Sequence, residues 1–256
     1  MKLDKQIAAI VSGGASGLGE ATVRALADAG VNVTILDLDE TRGTRVAAET
    51  GAVFVQTDIS DPNSVTNALQ AARSAHGQER IAVSCAGIAP GAKTVDRKGK
   101  AHDPALFSKT IAVNLIGTFN LATQSAAGMA AADPIGEDGE RGVIVNTASI
   151  AAFEGQIGQL AYAASKAGVA GMTLPMARDL SRQGVRVMTI APGLFKTPMM
   201  EGLPQEVQDS LGAQVPFPSR LGDPAEFAGL VRVICENPML NGEVIRLDGA
   251  IRMPPR

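Results

Sequence analysis

Tryptophan is missing from this 256-residue chain, tyrosine occurs once, and aromatic residues together make up 3% of it. Base-stacking platforms are scarce, and a formal net charge of −3 offers no basic surface to a phosphate backbone, so nucleic acid is not an expected partner. No apolar run approaches the ~18 residues that a bilayer crossing takes, so no membrane partner is expected either. The opening residues, MKLDKQIAAIV, become strand-like after a few polar positions and leave no room for a signal or transit peptide. Cysteine is also rare: Cys85 and Cys235 lie far apart in apolar surroundings without a CxxC, which reads as reduced, buried thiols. His76 and His102 have no ligand-like spacing to each other or to the cysteines, so no metal is expected. These absences describe a soluble, cytoplasmic protein.

What is present centres on the lone tyrosine. Within SIAAFEGQIGQLAYAASK, Ser149 to Lys166, Tyr162 and Lys166 stand at i and i+4. That spacing puts both on one helix face, with the Ser149 hydroxyl approaching from the preceding glycine-bearing loop. A free phenol has a pKa of about 10, and acid–base work at neutral pH wants it about three units lower, roughly 4 kcal/mol. A neighbouring ammonium moves it that way. Tyr-x-x-x-Lys by itself also recurs by chance on ordinary helices, so the rest of the chain must supply the argument.

It begins to do so at the first strand. Ile7 to Val11 is a short apolar run that ends in SGGASGLG and gives way to an alanine-rich helical pattern over 20–29, stopped by Gly30. Strand, glycine turn, helix is the context of a phosphate-binding loop. Gly13, Gly17 and Gly19 would let backbone amides reach a pyrophosphate, although an ordinary strand-to-helix turn has the same composition. The next strand, VNVTILD, ends in Asp37, near the ~20 residues beyond the loop where a ribose-binding acid is expected. With Ser16 before Gly17 and Leu38 after Asp37, no arginine welcomes a 2′-phosphate, and NAD is favoured over NADP. A strand-end aspartate can also cap the following helix, a job open to Asp39 as well.

Alternation continues with a strand over 52–56, a helix opened by Asp61-Pro62, and a strand over 81–85. Asp58 follows the third strand and suits either an adenine amino group or a turn. SCAG, Ser84 to Gly87, is small enough for the chain to pass beneath an adenosine. The stretch 88–103 leaves the pattern, carrying Lys93, Arg97, Lys98 and Lys100: a solvated loop, or an anion site for a phosphorylated handle such as coenzyme A. A long helix is expected over 104–132 with Asn114 on its apolar stretch, satisfying backbone groups or holding a water near Lys166. VIVNT is a core strand leading to Ser149. The helix from about Ala161 is rich in Ala and Gly, fit for close approach of a second subunit, and Pro175 should bend it or interrupt its hydrogen bonding. A strand over 185–190 is broken by Pro192-Gly193. Residues 194–217, rich in Met, Leu and Phe, read as a mobile apolar cover or a plain helical hairpin. A helix over 224–236 and a strand over 243–247 complete the chain.

Seven strands alternating with helices imply an α/β fold: a doubly wound (Rossmann) parallel sheet with helices on both faces, in a single domain over 1–256, with ligands at the carboxyl ends of the strands. Gly13, Asp37, Asp58, Gly87, Ser149 and Pro192 all fall at such ends.

With these residues in hand, the chain resembles the short-chain dehydrogenase/reductase family along essentially its whole length. The resemblance implies that Tyr162 is the general acid/base, that Lys166 lowers its pKa and binds the nicotinamide ribose, that Ser149 holds the substrate oxygen, and that Asn114 positions a relay water. It implies that Thr197 bonds the carboxamide of NAD, that Gln156 faces the substrate, and that Ser12, Leu18, Ile59, Cys85, Ala86 and Gly193 complete the cofactor site. NTASIAAFEGQIGQ, RVMTIAPGLF, QVPFPSRLGDPAE and NGEVIRLDGAIRM are similar to the members acting on 3-hydroxyacyl-CoA, as homotetramers. Reversible oxidation of a short or branched 3-hydroxyacyl-CoA is the expected reaction, with hydroxysteroids or other secondary alcohols as the alternative. A 3-ketoacyl carrier-protein reductase would want NADPH, against Asp37, and a dinucleotide sensor without turnover would not need the full Ser149, Tyr162, Lys166 and Asn114 set. Two departures stand out: Ser12 replaces the family's threonine, and Ser84 replaces the first asparagine of Asn-x-Ala-Gly.

Overall fold

The computed structural model describes residues 1–202 and 204–255, without the side chains of Met199 and Glu201. The part of the expected cover that falls on Leu203 lies outside the described residues. Strands β1 (Ala8–Ser12), β2 (Asn32–Asp37), β3 (Val53–Gln56) and β4 (Ile81–Ser84) alternate with helices α1 (Gly17–Asp28), α2 (Glu40–Thr50) and α3 (Pro62–His76). The chain continues through α4 (Pro104–Ile111), α5 (Gly117–Ala131), β5 (Gly142–Thr147), α6 (Leu160–Asp179) and β6 (Val185–Pro192). Helices α7 (Pro198–Glu201), α8 (Gln205–Gly212) and α9 (Pro224–Glu236) precede β7 (Val244–Leu247). The seven strands form one parallel sheet in the order β3-β2-β1-β4-β5-β6-β7, the doubly wound single-domain fold that the alternation implied.

Both faces of the sheet are covered because successive side chains along a strand point opposite ways. Ala9 and Val11 join a cluster with Val23 and Leu26 of α1 and Phe227 and Val231 of α9. Ile10, between them, packs with Val65 and Leu69 of α3 and Leu121 of α5. In β5 the same alternation sends Val143 and Val145 to the first layer and Ile144 to the second, against Ala122, Ala126 and Met129. The order reverses between β1 and β4, and the crevice at that switch point is where ligands of such sheets sit.

The structure departs from the sequence pattern at particular places. Helix α1 starts at Gly17, three residues before the expected Glu20, because the glycine loop itself winds into the first turn. The long helix expected over 104–132 is two α-helices joined by a π turn, Ala112–Ile116, in which Gly117 N bonds Ala112 O, five residues back. Pro104–Ala131 is long and apolar enough, by length and composition, to cross a membrane, but α5 packs Leu121, Ala122, Ala126 and Met129 into the core of the sheet. Pro175 lies inside α6, where its missing N–H interrupts the helix's hydrogen bonding without ending the helix. The segment 194–217 is divided between roles. Phe195 and Val215 are buried in core clusters, while Leu194, Met200 and Leu211 face the cleft.

Candidate functional site

A cleft of about 660 Å³ runs across the carboxyl ends of the strands. Of the residues the sequence singled out, Gly13, Ser16, Gly17, Leu18, Gly19, Asp37, Asp58, Ile59, Cys85, Ala86, Gly87, Ser149, Gln156, Tyr162, Lys166, Pro192, Gly193 and Thr197 all line it. Ser12 and Asn114 do not. Ser12 is buried behind the loop, and its carbonyl accepts from Cys85 N at 3.0 Å, so it joins β1 to the 85–87 segment rather than facing a ligand.

One half of the cleft is built from backbone. Gly13 has φ +66°, and a Cβ there would sit 2.6 Å from Ala86 N; one on Gly19 would collide with the Gly13 carbonyl. Only glycine allows the two strand ends and the helix start to come this close. The N-cap residue Ser16 makes no side-chain cap bond, and a helix N-terminus of this kind is an anion site. Asp37 closes that end: its Oδ2 accepts from Ala15 N and its Oδ1 from Asp39 N, both at 3.0 Å. The capping role open to it falls instead to Asp39, which accepts from Arg42 N. Asp58 forms a turn, with Oδ1 accepting from Ser60 N at 2.9 Å and Ser60 Oγ at 2.6 Å, while still bordering the cleft. A dinucleotide fits this half, with glycine backbone for its phosphates and a fixed carboxylate at the ribose end.

The other half is built from side chains. Ser149 ends the loop after β5 with its Oγ accepting from Ala151 N at 3.1 Å, and its hydroxyl is near enough to the Tyr162 phenol to favour that group's ionised form. Lys166, buried, donates from Nζ to Thr147 O at 2.7 Å and lies 5.9 Å from the centre of the Tyr162 ring. The pair is therefore close, but the balance of effects differs from the sequence expectation. Among the protein's own groups burial dominates: it raises the Tyr162 phenol, opposed by the Ser149 hydroxyl, and lowers the Lys166 ammonium to about 8. A sequence pattern shows the neighbour and not the desolvation. Burial likewise pushes the Cys85 thiol up to about 11, so a cysteine in the cleft is a neutral, unreactive one.

Asn114 is fully buried in the π turn. Its Nδ2 donates to Ile88 O at 2.8 Å and Ser165 Oγ at 3.0 Å, and its Oδ1 accepts from Ile88 N at 2.8 Å. Of the two jobs left open for it, the side chain performs the backbone one, clamping the chain after Gly87 to the helix that carries Lys166. Gln156 donates from Nε2 to Pro254 O at 3.1 Å, which turns its amide nitrogen toward the segment after β7. Ile88 and Leu211, from the stretches 88–103 and 194–217 singled out above, also line the cleft, whereas sequence reasoning missed Met253 and Gln159. Met253 ends the stretch NGEVIRLDGAIRM, which gave it no role of its own, and only the tertiary path of residues 251–255 brings it there. The four cations of 88–103 do not line the cleft. Asp96 organises them into a tight turn by accepting from Lys98 N and Lys100 N, and Ala92 N bonds Gly158 O at 2.8 Å beside the cleft rim. Among the described residues no group of three or more His, Cys, Asp or Glu converges as a metal site would require.

A glycine cradle at the β1–β4 switch point joined to a Ser–Tyr–Lys cluster defines a nucleotide-dependent oxidoreductase. The model of the short chain dehydrogenase family matches residues 7–208, and the chain belongs to that family, whose cofactor is a nicotinamide dinucleotide. It is 53% identical over 254 residues to 3-hydroxyacyl-CoA dehydrogenase type-2 of Drosophila melanogaster, covering 98% of this chain and 99% of that one. It is also 53% identical to the protein of the same name from Homo sapiens, over 98% and 97% of the two chains. The crystal structure of 3-hydroxyacyl-CoA dehydrogenase type-2 from Mycobacterium avium superposes with a TM-score of 0.95 at 49% identity, covering 100% of both chains.

Proposed function

We propose that this protein catalyses the NAD-dependent, reversible oxidation of a short or branched 3-hydroxyacyl-CoA to the 3-ketoacyl-CoA. The observation that carries the reading is the meeting of Ser149, Tyr162 and Lys166 in a cleft whose other end is closed by Asp37; the relatives' names supply the substrate class. Gly13, Gly17, Gly19 and the start of α1 would hold the cofactor's phosphates, with Asp37 on the adenosine ribose, where a carboxylate repels a 2′-phosphate and favours NAD. Asp58 and Ile59 border the adenine side, and Thr197 and Lys166 the nicotinamide side. When bound, the nicotinamide accepts or returns the hydride at the substrate's C3.

The chain's own groups handle the proton. In the reductive direction the buried, protonated Tyr162 is ready to donate to the forming alkoxide, while the Ser149 hydroxyl donates to the same oxygen. In the oxidative direction Tyr162 must give up its proton first, and the nearby Lys166 charge stabilises the phenolate. Asn114 keeps Lys166's helix and the 87–88 backbone in register. Gln156 faces the substrate with its carbonyl oxygen. The basic turn over 88–103, beside the rim, offers a counter-charge to the phosphates of coenzyme A.

A homotetramer belongs to the same reading. On α6, Leu160, Ala164, Ala167, Gly171 and Leu174 recur at intervals of three and four and are all exposed, as are Ile116 at the end of the π turn and Phe119 on α5. A stripe of small and apolar residues suits helix-on-helix contact between copies. A cytoplasmic setting is part of the same proposal, and the free thiols of Cys85 and Cys235 suit it. Hydroxysteroids remain the second reading, favoured by the apolar wall of Leu194, Phe195, Met200 and Leu211.

The test is oxidation of 3-hydroxybutyryl-CoA with NAD by wild type and Tyr162→Phe. Turnover by wild type and a loss of at least ~10³-fold in the variant, with NADH affinity retained, is expected. Equal rates would remove Tyr162 from the chemistry.

A further inference from the structure

The loop 153–158 separates Ser149 from Tyr162, and it is tied down by the segment that follows β7. Glu154 takes a two-pronged bond from Arg246, Oε1 from Nη1 at 2.9 Å and Oε2 from Nη2 at 3.0 Å. Arg246 in turn bonds Asp248 through Nε at 2.7 Å and donates to Ile251 O at 3.0 Å, and its guanidinium lies over the Phe153 ring. Two ties to backbone carbonyls complete the strap: Ile157 N donates to Pro255 O and the Gln156 side chain, through Nε2, to Pro254 O. The consequence is that Met253 packs against the cluster of Ile150, Val215 and Ile251 and lines the cleft, and Ile150 of that cluster is the residue after Ser149 in the chain.

We propose that residues 251–255 form a specificity strap in which Met253 sets the bulk admitted beside the reacting carbon, and Glu154 is the positioning residue that holds the strap through Arg246. The substrate class rests on the reading above; the strap itself rests on geometry. Ser149 and Tyr162 bind only the carbinol oxygen, so the substituents on that carbon must meet the surrounding walls. On this wall Met253 is the side chain delivered by a separate segment, and an unbranched thioether adapts its shape to what it touches. Its anchors are charged and only partly buried, and fixed rotamers of this kind are what hold a wall in place. Among the described residues no hydrogen bond of 251–255 reaches Gly13, Gly17 or Gly19, so the strap's effect is expected on substrate more than on cofactor.

The experiment compares wild type with Met253→Ala, Met253→Leu and Glu154→Gln. It reads the ratio of kcat/KM for 2-methylacetoacetyl-CoA over acetoacetyl-CoA, together with NADH affinity by fluorescence and the melting temperature. Met253→Ala is expected to raise the ratio about tenfold, the scale on which an apolar pocket resolves a methyl-sized difference. Met253→Leu should return it toward wild type, and Glu154→Gln should shift it in the same direction as Met253→Ala through KM rather than kcat, with NADH affinity unmoved. A Met253→Ala protein that melts and binds NADH like wild type, yet keeps the wild-type ratio, overturns the proposal. Should wild type reduce neither thioester, the acyl-CoA reading fails on its own, and the ratio is read instead on cyclic ketones of increasing ring size; a ratio moved there supports the strap, and an unmoved one overturns it.

Discussion

Lys166 shows at the scale of one residue how far a sequence pattern reaches and where it stops. Its place one turn after Tyr162 was legible from spacing alone, as were Ser149 and the glycines, because each is fixed by local geometry. Its charge was not, because desolvation depends on Thr147, Gly87 and Asn114, which arrive from other elements. Burial lowers this ammonium from 10.5 to about 8. The unfolded chain therefore holds a proton between those values that the folded chain has released, and stability contributed by this group rises with pH across that window. Relative to Lys166→Met, wild type should gain up to roughly 3 kcal/mol between pH 8 and 10.5 in urea unfolding. A constant difference across the window would contradict the buried, depressed lysine.

Elements were read from alternation and punctuation, and those signals located the strands to within one or two residues. They did not reveal the π turn, because IAVNLIGTFNLA has helix-compatible composition throughout and the inserted residue serves a distant contact, Asn114 with Ile88. Nor did they settle Ser84. On the sheet, Ser84 and Asn146 are register partners in β4 and β5, both are buried, and neither the Ser84 hydroxyl nor the Asn146 amide has a partner among the described residues. Unpaired buried polar groups cost about 1–3 kcal/mol each. Ser84→Asn gives Asn146 an amide to bond across the strands and should raise the melting temperature by about 2–4 °C; a fall would mean that the site has no room. The basic turn is testable in the same way. Replacing Lys93, Arg97, Lys98 and Lys100 by Ser should raise KM for a CoA thioester about tenfold at low salt, at a few tenths to 1 kcal/mol per exposed charge. The same variant should leave a ketone without phosphates unaffected, and equal effects on both substrates would remove coenzyme A from that loop.

The described residues form one seven-stranded sheet with the cleft at the carboxyl ends of its strands, and the class was legible because ligand-binding residues of this fold sit at strand ends whatever the details of packing. What the chain's linear order hid was the strap: Glu154 and Met253, 99 positions apart, come into hydrogen-bond contact only after β7 has been laid beside β6. Assembly belongs to this scale as well. Light scattering should give the mass of a tetramer for wild type and a smaller species for Leu174→Asp, which places a charge on the exposed α6 stripe; a wild-type monomer would contradict the stripe's role. The most direct test of the account is the loss of reduced-cofactor absorbance with acetoacetyl-CoA, run with NADH beside NADPH and beside a ketosteroid. Rapid loss with acetoacetyl-CoA and NADH, at least ~10-fold faster than with NADPH, is the predicted result. Turnover of the steroid alone, or a preference for NADPH, would contradict it.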